Sequence, residues 1–226
     1  AAPNLLLGNT VILKHAPICA ESSALMEEIA HAAGVPTDAY INVYASNEQV
    51  ADMIGDPRIH GVSLTGSGRA GAAVAQTAAA HLKKSVLELG GSDAFIVLDS
   101  PDPAAHAAGA AKGRMMNCGQ ACNSPKRFIV HEDIYDGFVD GLVNAVTGMA
   151  VGDPTDPATE IGPLSSVAAR DRVVEQINDA VKAGATLHVG GKAVDGPGAF
   201  LEPAVLTGVT PEMDAYYEEI FGPVAV

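Results

Sequence analysis

Short apolar segments alternate along this chain with amphipathic helical stretches, and that alternation leaves few folds open. Thr10–Lys14 reads as a strand, and Ser22–Ala33 as a helix with Leu25, Met26, Ile29, Ala30 and Ala33 at helical spacing. The helix stops at Gly34, with Pro36 just beyond. Ile41–Tyr44 is a second strand, and Asn47–Ile54 a helix closed by Gly55-Asp56-Pro57. Ile59–Leu64 (strand), Arg69–Leu82 (Ala-rich helix) and Lys84–Leu89 (strand) follow. Strands joined through helices pair in parallel, so the pattern predicts an α/β fold built on doubly wound parallel sheets.

The rhythm restarts after Gly90-Gly91. Ala94–Leu98 and Arg127–His131 read as strands, Pro103–Met116 and Ile134–Met149 as helices. A Gly/Pro/Asp-rich loop from Gly152 to Pro157 leads to helix Ser166–Ala183 and strand Thr186–Val189. Gly90-Gly91 is therefore the expected hinge between two α/β lobes, residues 1–90 and 91–226. The chain opens on Ala1-Ala2-Pro3 and ends on Phe221–Val226, the start of a strand, so both lobes are expected to be incomplete pieces of a longer protein.

Charge and composition exclude several function classes. The formal net charge is −14, which opposes sequence-independent nucleic-acid binding and docking on an anionic membrane face. Apolar residues make up 48% and charged residues 18%, a globular balance. No apolar run reaches the roughly 20 residues that span a bilayer. Three cysteines, Cys19, Cys118 and Cys122, offer no disulfide framework, which predicts a reduced, cytoplasmic setting. Cys118 and Cys122 lack two further ligands at zinc spacing, as His106 and His131 do not supply them, so no metal is expected.

Four places could carry chemistry. Gly66-Ser67-Gly68-Arg69-Ala70-Gly71 follows a strand, opens a helix and matches G-x-G-x-x-G, a pattern that lets backbone and helix N-terminus approach a pyrophosphate. Cys122, in Asn117-Cys118-Gly119-Gln120-Ala121-Cys122, lies in a turn near Lys126 and Arg127, cations that favour a thiolate. Glu88 ends an apolar strand ahead of Gly90-Gly91, and its distance from Gly66 also suits a ribose ligand of an ordinary Rossmann fold. Glu219, in Glu218-Glu219-Ile220-Phe221-Gly222-Pro223, is a carboxylate beside a turn. Each has a bland alternative: a chance glycine match, an inert cysteine, solvated acids.

Together the motifs resemble the aldehyde dehydrogenase superfamily, whose landmarks follow in the same order. They are Gly8-Asn9-Thr10-Val11-Ile12-Leu13-Lys14, Leu64-Thr65-Gly66-Ser67, Glu88-Leu89-Gly90-Gly91, Asn117-x-Gly119-Gln120-x-Cys122 with Arg127, and Glu219-Ile220-Phe221-Gly222-Pro223. Lys14-His15-Ala16-Pro17 and Glu88-Leu89-Gly90-Gly91-Ser92-Asp93 are further similar to bacterial NAD(P)-dependent succinate-semialdehyde dehydrogenases. The resemblance implies that residues 1–90 are the C-terminal part of a dinucleotide-binding domain and 91–226 the N-terminal part of a catalytic domain. It implies Cys122 as nucleophile and Glu88 as general base rather than ribose ligand. Lys14 would hold the adenosine ribose and Glu219 the nicotinamide ribose, with Gly66, Ser67, Leu89 and Phe221 completing the contacts. The implied cofactor is NAD or NADP, the partner a small aldehyde, and the complete protein a homo-oligomer.

Three departures carry consequences. Pro17 stands where the family commonly has an acid that binds a ribose hydroxyl, so a 2′-phosphate is less strongly repelled. Gly68 replaces a usual Thr or Val. Met116 occupies the position of a carboxylate-binding arginine found in some relatives, which leaves Arg114 as the candidate for that task. The family's oxyanion-hole Asn is expected before Ala1, so this segment alone is expected to be inactive or nearly so. Two alternatives stay open: a Rossmann dehydrogenase without covalent catalysis, and a non-catalytic remnant of the family.

Overall fold

The computed structural model describes all residues, Ala1–Val226. They form two compact units, Ala1–Leu89 and Gly90–Val226.

In the first unit a short helix α1 (Ala2–Leu6) precedes two βαβ passages. β1 (Val11–Lys14) and β2 (Tyr40–Val43) pair in parallel across helix α2 (Ala20–Ala32), and β3 (Gly61–Thr65) and β4 (Lys84–Glu88) across helix α4 (Gly68–Ala80). Helix α3 (Asn47–Gly55) lies between the two pairs in sequence. Ser46 starts α3 with a complete capping box: its Oγ accepts from Gln49 N–H, and Gln49 Oε1 accepts from Ser46 N–H. α2 begins two residues earlier than the sequence pattern suggests. A 3₁₀ turn at Pro17–Cys19 feeds directly into it, since proline's fixed φ suits a helix entrance. Lys83 anchors the turn after α3 by donating its ammonium to the carbonyls of Ile54 and Asp56.

The second unit opens with β5 (Ala94–Val97), helix α5 (Pro103–Met115) and β6 (Arg127–Val130), and β5 and β6 pair in parallel. Helix α6 (Tyr135–Thr147) and helix α7 (Val167–Lys182) follow, then β7 (Thr186–Val189), β8 (Ala204–Thr207), helix α8 (Asp214–Tyr217) and β9 (Val224–Ala225). Asp102 caps α5 through Ala105 N–H, and Ser166 caps α7 through Ala169 N–H. One core packs Ala107, Ala110 and Ala111 of α5 on Phe138 and Leu142 of α6. A second joins Val173 and Ile177 of α7 to Leu201, Leu206, Ile220 and Val224.

The α/β architecture and its parallel pairs agree with the sequence reading, with one exception. β7 and β8 pair antiparallel, while β8 and β9 pair in parallel. The connection from Gly190 to Pro203 contains no helix, and a chain that turns without a crossover can only return antiparallel. β8 escapes periodicity because its residues Ala204, Val205 and Leu206 are all buried, so they do not alternate. No helix is long and apolar enough to cross a membrane.

Candidate active site

The first unit presents its implicated residues at the carboxyl ends of parallel strands, where open α/β sheets bind ligands. Lys14 ends β1 opposite Val43 and is half-buried; the next residue, His15, meets Tyr44 edge-on with ring centroids 5.0 Å apart. Thr65, at the end of β3, pairs with Glu88, and Gly66 N–H extends that ladder to the Glu88 carbonyl at 2.9 Å. Ser67 then caps α4, its Oγ accepting from Ala70 N–H at 3.3 Å. Gly66, Ser67 and the Glu88 carboxylate are exposed, and Leu89 packs its side chain on Gly71 at the start of α4. The Gly66-Ser67 turn and Glu88 are thus bound into one strand-end by their backbones.

The second unit holds Cys118 and Cys122, of which Cys122 is the expected nucleophile. Cys118 is buried, its Sγ 3.4 Å from the Gly162 carbonyl, and burial raises its thiol pKa. Cys122 is exposed, and its backbone N–H meets no acceptor in the chain. Asn117, Cys118 and Gly119 are three consecutive residues with positive φ, +52°, +57° and +69°. Side chains lock this turn: Asn117 Nδ2 donates to the Gln120 carbonyl at 3.0 Å, and Gln120 Oε1 accepts from Ser165 N–H at 2.9 Å. Glycine is required at 119 because a Cβ there would stand 2.0 Å from the Gly222 carbonyl oxygen. Through that contact the Asn-x-Gly-Gln-x-Cys stretch lies directly on the Ile220-Phe221-Gly222-Pro223 segment.

Glu219 is half-buried against Gly90-Gly91. A Cβ at residue 90 would lie 2.2 Å from Glu219 Oε2, and Gly91 N–H donates to Oε1 at 3.4 Å. Ser92 Oγ donates to the Tyr216 carbonyl at 3.2 Å, which ties the same strap down. Phe221, beyond it, is 42% exposed.

The cations expected beside Cys122 are engaged elsewhere. Lys126 is buried and its ammonium donates to the carbonyls of Ala215 and Glu218, each at 2.6 Å. Arg127 Nε donates to the Ser92 carbonyl at 2.9 Å, with its guanidinium carbon 4.9 Å from the Tyr216 ring centre. Arg114 is buried and spends its donors on Val224, Ser124, Ile220 and Gly222. It is therefore not an anchor for a substrate carboxylate, and the expectation that it could serve is overturned. Sequence alone gave no sign of this, since an arginine on a helix looks the same whether it faces water or the interior.

Burial, reinforced by Arg114 and Arg127 and opposed by Glu218 and Glu219, pushes the Lys126 ammonium down to about 8. The folded protein therefore releases this proton near pH 8, while the unfolded chain keeps it to about 10.4. Between those limits the unfolded state binds more protons, so this group adds stability as pH rises. The neutral amine still has an N–H for each carbonyl. Compared with Lys126→Met, the unmodified protein is expected to gain melting temperature as pH goes from 7.5 to 10. Thermal unfolding of both at several pH values checks it, and a constant or shrinking difference refutes it.

A family model described as the aldehyde dehydrogenase family matches residues 1–226. The chain is 52% identical over its whole length to "Succinate-semialdehyde dehydrogenase [NADP(+)]" of Deinococcus radiodurans and covers 47% of that protein. It superposes with TM-score 0.94 and 45% identity on succinic semialdehyde dehydrogenase from Streptococcus pyogenes in complex with NADP+, covering 99% of this chain and 49% of that one. It also superposes with TM-score 0.94 and 34% identity on an aldehyde dehydrogenase from Pseudomonas syringae complexed with NAD+ and octanal, covering 99% and 47%. The chain spans about half the length of the curated relatives it matches. The family match runs from the first residue to the last, and the chain belongs to the aldehyde dehydrogenase family.

Proposed function

We propose that this chain carries the nucleophile and the cofactor contacts of an enzyme that oxidises succinate semialdehyde, with NADP or NAD, to the carboxylic acid. The observation that carries the reading is the opposite fate of the two neighbouring cysteines. Cys118 is buried, whereas Cys122 is exposed on a loop locked against the Glu219 segment. The 52% identity to an NADP-dependent succinate-semialdehyde dehydrogenase supports the substrate class.

The residues present fit a dinucleotide. The turn at Gly66-Ser67 is exposed and opens a capped helix of 13 residues, whose free N–H groups favour a phosphate. Nothing lies within 4 Å of where a Cβ of Gly68 would stand. Lys14 would hold the adenosine ribose and Glu219 the nicotinamide ribose, with Leu89 and Phe221 beside them. Pro17 places no carboxylate near that ribose, which favours NADP alongside NAD. When bound, the nicotinamide supplies the hydride acceptor.

In the proposed chemistry the Cys122 thiolate adds to the aldehyde carbon and forms a thiohemiacetal alkoxide. The free backbone N–H of Cys122 suits that oxyanion. Loss of hydride from the carbon leaves a thioester on Sγ. Glu88 takes a proton from water, the resulting hydroxide attacks the thioester, and the C–S bond breaks to release the acid and restore the thiolate.

Alkylation tests the reading. Iodoacetamide at limiting dose is expected to modify Cys122 ahead of Cys19 and Cys118 in the complete polypeptide, with NAD(P)H formation at 340 nm lost in proportion. Cys19 is also exposed, so it is the internal control for mere accessibility. Equal labelling of Cys19 and Cys122, with activity lost in step with neither, would sink the proposal.

A further inference from the structure

We propose that Arg114 is a positioning residue that sets the distance between the Cys122 loop and Glu219; this rests on the reading that those two residues serve the reaction. Arg114 is 2% exposed, forms no salt bridge and donates only to neutral acceptors, with the Glu219 carboxylate partly offsetting the burial of its charge. Its Nε donates to the Val224 carbonyl at 2.7 Å, and its Nη2 to the carbonyls of Ile220 and Gly222 at 2.7 and 2.8 Å. Its Nη1 donates to Ser124 Oγ at 3.0 Å, and that hydroxyl donates back to the Arg114 carbonyl at 3.1 Å. The Arg114–Ser124 pair therefore closes the base of the loop that bears Cys122. The other edge of the same guanidinium grips the strap just after Glu219.

The rest of the strap is held in the same manner. Lys126 takes the Ala215 and Glu218 carbonyls, and Gln176 Nε2 donates to the Glu219 carbonyl at 3.0 Å. Glu219 is thus fixed by donors on both sides, while its carboxylate stays against Gly90-Gly91. Lys126 reaches the strap from the end of the Cys122 loop itself, whereas Arg114 grips both from outside, on α5. Burying a cation without a salt bridge is a poor way to gain stability, because apolar residues of similar volume do as well or better. A rigid fork with five N–H donors is, however, well suited to holding several carbonyls and a hydroxyl in one plane. Lysine cannot reproduce that fork.

Three variants of the complete polypeptide test the assignment: Arg114→Lys, Arg114→Met and Ser124→Ala. Arg114→Lys is expected to lower kcat and raise the KM for NADP+, each by about 10- to 100-fold, as a small displacement of reacting groups does. Ser124→Ala releases the loop but leaves the strap contacts. It is expected to change the rate of Cys122 alkylation by about tenfold while the cofactor KM moves less than about twofold. A purely structural role would lower the melting temperature of all three without this split between loop and strap. Arg114→Met removes the side-chain donor from the Val224, Ile220 and Gly222 carbonyls at once, leaving Ile220 and Gly222 only their backbone partners, and is expected to be the most damaging. If Arg114→Lys folds and keeps both kinetic constants, the proposal fails. If the Arg114 variants do not fold, Ser124→Ala decides: unchanged alkylation of Cys122 also overturns it. Full turnover by Cys122→Ala would instead defeat the underlying reading, whatever the Arg114 variants show.

Discussion

Cys122→Ala in the complete polypeptide is expected to lose aldehyde oxidation by about four orders of magnitude or more, the scale seen when a covalent nucleophile is removed. Without sulfur no tetrahedral adduct forms, and an aldehyde carbon has no oxyanion from which to expel hydride. Binding of the dinucleotide is expected to survive, because the proposed contacts at Lys14, Gly66, Ser67 and Glu219 are untouched. Cys118→Ala is the matched control. Its thiol is buried and faces the Gly162 carbonyl, so the cost is expected in melting temperature rather than in turnover. Assays of NAD(P)H formation on the two variants separate the readings. A Rossmann dehydrogenase without a covalent step would tolerate the loss of Cys122, and a non-catalytic remnant would show no turnover to lose.

Glu88→Gln is expected to uncouple the two halves of the reaction. Acylation needs only the thiolate, so one equivalent of NAD(P)H should appear in a rapid burst. Deacylation needs a base, so steady-state turnover should then fall by about 10²- to 10⁴-fold. Rapid-mixing absorbance at 340 nm resolves the phases, and mass spectrometry of the quenched protein should find the succinyl group on Cys122. The competing role, Glu88 as a ribose ligand, predicts something different: a raised KM for the dinucleotide, no burst and no acylated cysteine. Glu88 is exposed at the end of β4, and its backbone carbonyl is tied to Gly66 N–H, so the amide substitution should leave the strand-end intact.

Strand–helix alternation was readable from residue order because α/β packing imposes one periodicity on helices and another on strands. The stop at Gly34, with Pro36 beyond, marked the end of α2 for the same local reason, and Gly34 has the positive φ that ends a helix. The Gly66-Ser67 turn was likewise legible, since its cap bond to Ala70 is local, whereas the Asn117–Cys122 turn is also held by the distant Ser165 and Gly222. β8 was not legible, being buried on every face, and neither was its antiparallel pairing with β7.

Residue order determined which chemical groups this protein possesses and the local turns that present them. Tertiary structure decided which cysteine is exposed, turned Arg114 from a candidate substrate anchor into a clamp, and drew Lys126 away from the thiol it was expected to activate. The physical reason is that burial and the partners of a charged group come from segments far apart in the chain. Arg114 finds its acceptors at Ile220, Gly222 and Val224, more than a hundred residues away. No local pattern encodes such a meeting; only the packed fold brings it about.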